Sequence, residues 1–134
     1  MNSLSINWLA VLAAALSTFL VGGLWYSPVV FGRIWARTNG LTEAQLRHGQ
    51  MRAFAGAFVL AVVMSANLAF FLADSKTTVA WGMTAGALAG VGWAAAGLAI
   101  VALFERRSAI YILVNGGYLI VSFVLMGAIL GGWR

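Results

Sequence analysis

Four long apolar runs divide this chain. Met1 to Phe31 carries no charged side chain, and neither does Thr77 to Phe104 or Ser108 to Trp133. A further run, Ala53 to Ala73, is bounded by Arg52 and Asp74. A helix needs about 20 residues to cross a hydrocarbon core of ~30 Å, and each run is long enough. The pattern predicts an all-α fold: a four-transmembrane-helix bundle with spans at about 5–27, 53–73, 78–104 and 108–132. All of 1–134 then forms a single integral membrane domain.

The connections are short and readable. Pro28, the one proline, follows Ser27 and breaks the helix of span one, because proline lacks an N–H and disfavours helix in the residue before it. Beyond it Phe31, Ile34 and Trp35 recur at helical spacing, interleaved with Arg33 and Arg37. That amphipathic segment predicts a short interfacial helix between spans one and two, ended by Asn39-Gly40. It reads either as a plain anchor or as a foot that senses lipid or a partner. Thr42 and Gln45 have the spacing of a capping box, predicting a helix that runs through Leu46 into span two, with Gly49 its weak point. Asp74-Ser75 supplies the turn between spans two and three.

Composition narrows the class. Hydrophobic residues make up 63% and charged residues 8%, too apolar for an ordinary soluble domain. The net charge of +5 would suggest nucleic acid in a soluble protein. Here the basic residues flank the spans, so the expected partners are the bilayer and its anionic head groups, with no nucleic acid. The absence of cysteine excludes disulfides and thiol chemistry. Arginine follows the first apolar run instead of preceding it, which predicts a retained span and not a cleaved signal.

Charge also orients the chain. Arg33, Arg37, Arg47 and Arg52 precede span two, and Arg106 and Arg107 lie between spans three and four. Lys76 and Arg134 stand at the opposite ends. Basic residues near span ends stay on the cytoplasmic face. Both arginine-bearing loops are therefore expected inside and both termini outside. Trp8, Trp81 and Trp133 fall at outer ends, while Trp25, Tyr26, Trp35 and Tyr111 fall at inner ends, as an aromatic belt would. Trp93 alone lies near mid-membrane.

The candidate chemistry is sparse. Tyr111, Asn115, Tyr118 and Ser122 form a polar stripe on one face of span four. Unpaired polar groups in hydrocarbon cost several kcal/mol, so the stripe must face other helices or a wet cavity. It is either interhelical glue or the lining of a solute or ligand path. Asn67 and Thr84 are secondary intramembrane polar residues at similar depth, and Thr84 is the better partner for Asn67 than the more distant Asn115. Ser17 and Thr18 are expected to bond carbonyls of their own helix. Gly82, Gly86 and Gly90, with Ala94 next in register, make a smooth ridge on span three that permits close helix packing, inside the chain or at a subunit seam. Gly22…Trp25 and Gly90…Trp93 repeat a Gly-x-x-Trp spacing. Arg33, Arg37, Arg52, Glu105 and Arg106 form a cytoplasmic charge cluster in which Glu105 either pairs across the loops or sits in a solvated turn. His48, with only Glu43 near it, makes no metal site. No metal, cofactor or catalytic residue is expected, and the chain reads as a non-enzyme.

Several blocks are distinctive in order: Asn7-Trp8-Leu9-Ala10-Val11, Leu24-Trp25-Tyr26-Ser27-Pro28 with Phe31-Gly32 and Trp35, and Phe104-Glu105-Arg106-Arg107. Val114-Asn115-Gly116-Gly117-Tyr118 and Leu125-Met126-Gly127-Ala128-Ile129-Leu130 follow. Together they resemble the bacterial membrane family known as domain of unknown function 1761. The resemblance covers nearly the whole chain and implies four spans in a bacterial cytoplasmic membrane, with no activity attached. Two functions follow from the whole reading: a non-enzymatic module of the inner membrane that oligomerises or binds, or a homo-oligomeric channel or passive carrier along the span-four stripe. No span holds the acidic group that proton-coupled export requires.

Overall fold

The computed structural model describes residues 6–40, 42, 45, 50–73 and 76–133. Within these, five helices form: α1 (Trp8–Trp25), α2 (Gly32–Asn39), α3 (Gln50–Phe71), α4 (Val79–Phe104) and α5 (Ala109–Gly132). All except α2 are long and apolar enough to cross a membrane. The four spans and the short helix predicted from the sequence are all present. Glu43, Leu46, Arg47, His48, Gly49, Asp74, Ser75 and Arg134, on which the sequence readings also drew, lie outside the described residues.

Caps fix where the helices start. Asn7 Oδ1 accepts from the N–H groups of Leu9 and Ala10 at 3.1 and 3.2 Å, satisfying donors that the first turn leaves open. Thr78 and Ser108 do the same for α4 and α5 through the N–H groups of Trp81 and Tyr111. The capping box is formed: Thr42 N–H donates to Gln45 Oε1 at 2.8 Å and Gln45 N–H to Thr42 Oγ1 at 3.2 Å.

The long helices alternate in direction and pack in the order α3, α1, α5, α4. α5 therefore sits between α1 and α4, and α3 reaches the bundle mainly through α1. The second and third spans share no long seam, although the rings of Phe71 and Trp93 meet at 6.0 Å. The core lies toward the end that holds the termini. It joins Ala10, Val11 and Ala14 of α1, Leu68, Ala69 and the following Leu72, and Met126 and Leu130 of α5. Alanine dominates on α1, so the backbones approach closely. A buried bond, Ser65 Oγ to the Val11 carbonyl at 2.8 Å, ties α3 to α1. At the opposite, arginine-bearing end Phe19 meets Phe54 and Phe58 edge-on.

Span three contains a local irregularity. Gly90–Ala95 is a π-helical turn, which inserts an extra residue into the helical register. The ridge of Gly82, Gly86 and Gly90 therefore continues at Ala95, whose Cβ faces Gly116, and not at Ala94. The likeness of the two Gly-x-x-Trp pairs also ends in sequence. Trp25 turns inward, whereas Trp93 is 71% exposed.

Proline breaks α1 as expected, and the chain reverses tightly into α2. Phe31 N–H donates to the Trp25 carbonyl at 3.0 Å and Gly32 N–H to the Ser27 carbonyl at 2.8 Å. A side chain at Gly32 would meet the Tyr26 carbonyl at 2.3 Å, so only glycine fits this turn. α2 ends at Gly40, whose φ of 66° is left-handed.

Candidate functional site

The span-four stripe faces α1, and its partners come from the Trp25-Tyr26 corner. The Tyr26 hydroxyl donates to Asn115 Oδ1 at 2.5 Å. The other side of that amide donates to the Tyr111 carbonyl one turn earlier, at 2.9 Å. Trp25 Nε1–H reaches the Val114 carbonyl at 2.8 Å. The Tyr118 hydroxyl lies 3.4 Å from the Thr18 carbonyl, at the outer edge of hydrogen bonding.

Glycines make room for these rings. A Cβ at Gly117 would stand 3.0 Å from Trp25 Cζ2, and one at Gly22 would stand 3.2 Å from the Tyr118 ring. Tyr26 sits edge-on to both Tyr118 and Trp35, at 5.4 and 5.3 Å between centroids, and Trp25 lies 4.8 Å from Phe31. The Leu-Trp-Tyr-Ser-Pro block and the Asn-Gly-Gly-Tyr block therefore form one junction. α1 and α5 cross there, and α2 is held against it by the same aromatics.

The remaining candidates fall elsewhere. Tyr111 is half-buried, with the Arg107 guanidinium 5.1 Å above its ring. Ser122 is fully buried and makes no bond that satisfies hydrogen-bond geometry; Tyr118 is the polar side chain near it. Ser17 and Thr18 bond back to the Ala14 carbonyl at 2.6 and 3.4 Å. Thr84 likewise bonds the Ala80 carbonyl at 2.9 Å and is exposed, so it is not the partner of Asn67. Asn67 itself points outward from the bundle. Glu105 pairs with Arg107 of its own turn at 3.7 Å, both side chains about half-exposed. Among the described residues no ion pair joins Glu105 to Arg33, Arg37 or Arg52, which are all exposed. Arg106 takes a φ of 59°, the left-handed turn that lets the chain reverse into α5. No group of three or more His, Cys, Asp or Glu residues converges among the described residues.

The other face of α5 meets the glycine ridge. Gly82 opposes Gly127, Gly86 opposes the Phe123 carbonyl, and Gly131 opposes the Thr78 carbonyl. The ridge thus packs within the chain against a second pair of glycines, Gly127 and Gly131. Sequence reasoning passed over that pair, although its spacing of four is the same signal. Sequence reasoning also missed the inward bonds of Trp25 and Tyr26, because the belt rule for aromatic residues accounts for their position without any partner.

Fold and junction together define a small helical bundle of the membrane-spanning kind, with four long apolar helices and polar side chains tied between the first and the last. The chain belongs to the family described as "Protein of unknown function (DUF1761)", whose profile matches residues 9–131 and so includes both blocks of the junction. No curated protein and no solved structure matches the chain.

Proposed function

We propose that this protein is a non-enzymatic module of the bacterial cytoplasmic membrane that acts by assembling with itself or with a partner, and not by passing a solute. One observation carries the reading: the Asn115 amide, the most polar group of the stripe, is bonded on both sides within its own chain. A pore lining keeps such groups facing water. Here they hold α1 to α5, where such a bond is worth ~0.6–2 kcal/mol. The large outward faces of α3 and α4 suit a protein that meets other helices in the membrane.

Vesicle flux tests this. Proteoliposomes loaded with carboxyfluorescein or a pH-sensitive dye are expected to leak no faster than empty vesicles. Asn115→Leu is expected to lower bundle stability and leave leakage unchanged. A wild-type flux that Asn115→Leu abolishes would establish the channel instead.

The proposed orientation keeps both arginine-bearing connections in the cytoplasm, where they meet anionic head groups. The native chain lacks cysteine, so Arg37→Cys and Arg106→Cys each create a single thiol. Both thiols are expected to react with an impermeant maleimide only when it reaches the cytoplasmic face. Labelling from opposite faces would refute the topology.

A further inference from the structure

We infer that the outward face of α3 is a seam between two copies of this chain, registered by a pair of Asn67 amides. The inference rests on the assembling-module reading and names its partner.

Asn67 places an exposed amide on the outward face of an apolar span. It lies four residues before Phe71, where α3 ends, ~6 Å inside the span at 1.5 Å per residue. Phe70 and Phe71, on the side toward the span's end, are 51% and 65% exposed, so apolar surface continues past it. Ser17, Thr18, Ser65 and Thr84 each bond a carbonyl and Asn115 is bonded twice, while Ser122, which has no such bond, is enclosed within the bundle and not turned outward. Asn67 forms no hydrogen bond among the described residues. An amide left so in hydrocarbon is expensive, because lipid tails offer neither donor nor acceptor.

Rotation of α3 does not bring Asn67 inside. The opposite face of the helix, at Ala61, Ser65, Leu68 and Ala69, is buried, and the Ser65 bond to Val11 pins it. Relief must come from outside the chain.

The neighbours of Asn67 indicate what comes. Ala53, Gly56, Leu60, Val63, Asn67 and Phe70 are all exposed and are spaced three, four, three, four and three. That is the heptad spacing of two helices packed along a common seam, in which one polar residue sets register. Symmetry then selects the partner. Copies inserted the same way hold residue 67 at the same depth, so a two-fold axis along the membrane normal sets Asn67 against Asn67. A carboxamide carries both donor and acceptor, which makes the pair reciprocal.

The test uses the full chain in vesicles. Single cysteines replace Leu60, Val63 or Phe70 on the seam, with Asn67 kept. Control cysteines replace Val101 and Leu113, which are 55% and 71% exposed on other spans. Oxidation with copper phenanthroline is expected to cross-link the seam positions and spare the controls. Asn67→Leu is expected to weaken the dimer about tenfold, the effect of losing one interhelical amide pair, while Asn67→Gln retains most of it. Because residue 67 points outward, the melting of the monomeric bundle is expected to be unchanged in both, which checks folding. A wild-type dimer that persists in Asn67→Leu, or that cross-links at Val101 or Leu113 instead, overturns the seam and leaves the assembling reading intact. A wild type that is monomeric and cross-links nowhere overturns both. Seam cross-links to a different protein in native membranes, with none between copies, also overturn the proposal.

Discussion

Gly127→Ala is expected to separate α4 from α5 and to cost the bundle at least ~2–3 kcal/mol, the upper part of the range for overpacking. A Cβ at Gly127 would stand 1.9 Å from the Gly82 carbonyl oxygen, and one at Gly82 would stand 2.0 Å from the Gly127 carbonyl oxygen. The clash is backbone against backbone, so no side chain can swing aside. In the native arrangement each glycine aims a Cα–H bond at the other's carbonyl, a weak contact of about 0.5–1 kcal/mol that only a bare Cα allows. Ordinary contact with a Cβ begins at 3.4 Å, so the helices must move apart by more than an ångström. A gap of ~0.5–1 Å already forfeits a quarter to a half of each dispersion contact along a seam. Lipid supplies no hydrophobic force to restore it, since the tails are as apolar as the helices. Gly86→Ala is expected to behave alike, because its Cβ would lie 2.1 Å from the Phe123 carbonyl. Gly92→Ala and Gly97→Ala are the controls. Nothing lies within 4 Å of either added methyl, so the change is expected to be neutral or slightly favourable through helix propensity. Unfolding in mixed micelles with increasing dodecyl sulfate measures all four. Equal losses at Gly97 and Gly127 would contradict the packing described here.

This seam also marks how far the sequence could be read. Hydropathy places all four spans, because length and lack of charge are local properties that the bilayer acts on directly. Pro28 and Asn39-Gly40 place the ends of α1 and α2 for the same reason, whereas the caps Asn7, Thr78 and Ser108 show their role only in the structure. Gly82, Gly86 and Gly90 announce a close approach, yet nothing local says to which helix, and the matching glycines at 127 and 131 acquire meaning only once α4 and α5 are neighbours. The π turn at Gly90–Ala95 leaves no trace in hydropathy, and it moves the continuation of the ridge by one residue. The stripe of span four was legible as residues that must face inward. Its partners were not, since Trp25 and Tyr26 satisfy the interfacial rule equally well whether or not their polar atoms bond across the bundle. Asn67 shows the converse. Its depth was legible, but its outward direction depends on which face of α3 meets α1, and that is decided by the packing of Ser65 and Leu68.

Trp25→Ala is expected to be the most damaging single change at the α1–α5 junction, at ~3 kcal/mol, the low end for removing a large aromatic because the ring is only part-buried. It removes three contacts together: the bond to the Val114 carbonyl, the approach of Cζ2 and Cη2 to Gly117, and the ring pair with Phe31. Trp25→Phe separates them. It keeps a ring but loses the indole N–H, and a loss of about 1 kcal/mol is expected, as for one net hydrogen bond. The Tyr26–Asn115 bond is isolated by a double-mutant cycle of Tyr26→Phe and Asn115→Leu, with a coupling of ~0.6–1.7 kcal/mol expected for a polar pair between membrane helices. Zero coupling would mean that the two side chains act independently and that the junction is held by shape alone. A second cycle tests the shape. Gly117→Ala places a methyl 3.0 Å from Trp25 Cζ2, an atom that phenylalanine lacks. The alanine should therefore be costly beside the native indole and nearly free in the Trp25→Phe background, because the atom it strikes has gone. If the alanine costs the same in both backgrounds, the indole does not lie over Gly117, and the two most distinctive blocks of the sequence are not joined in the way described.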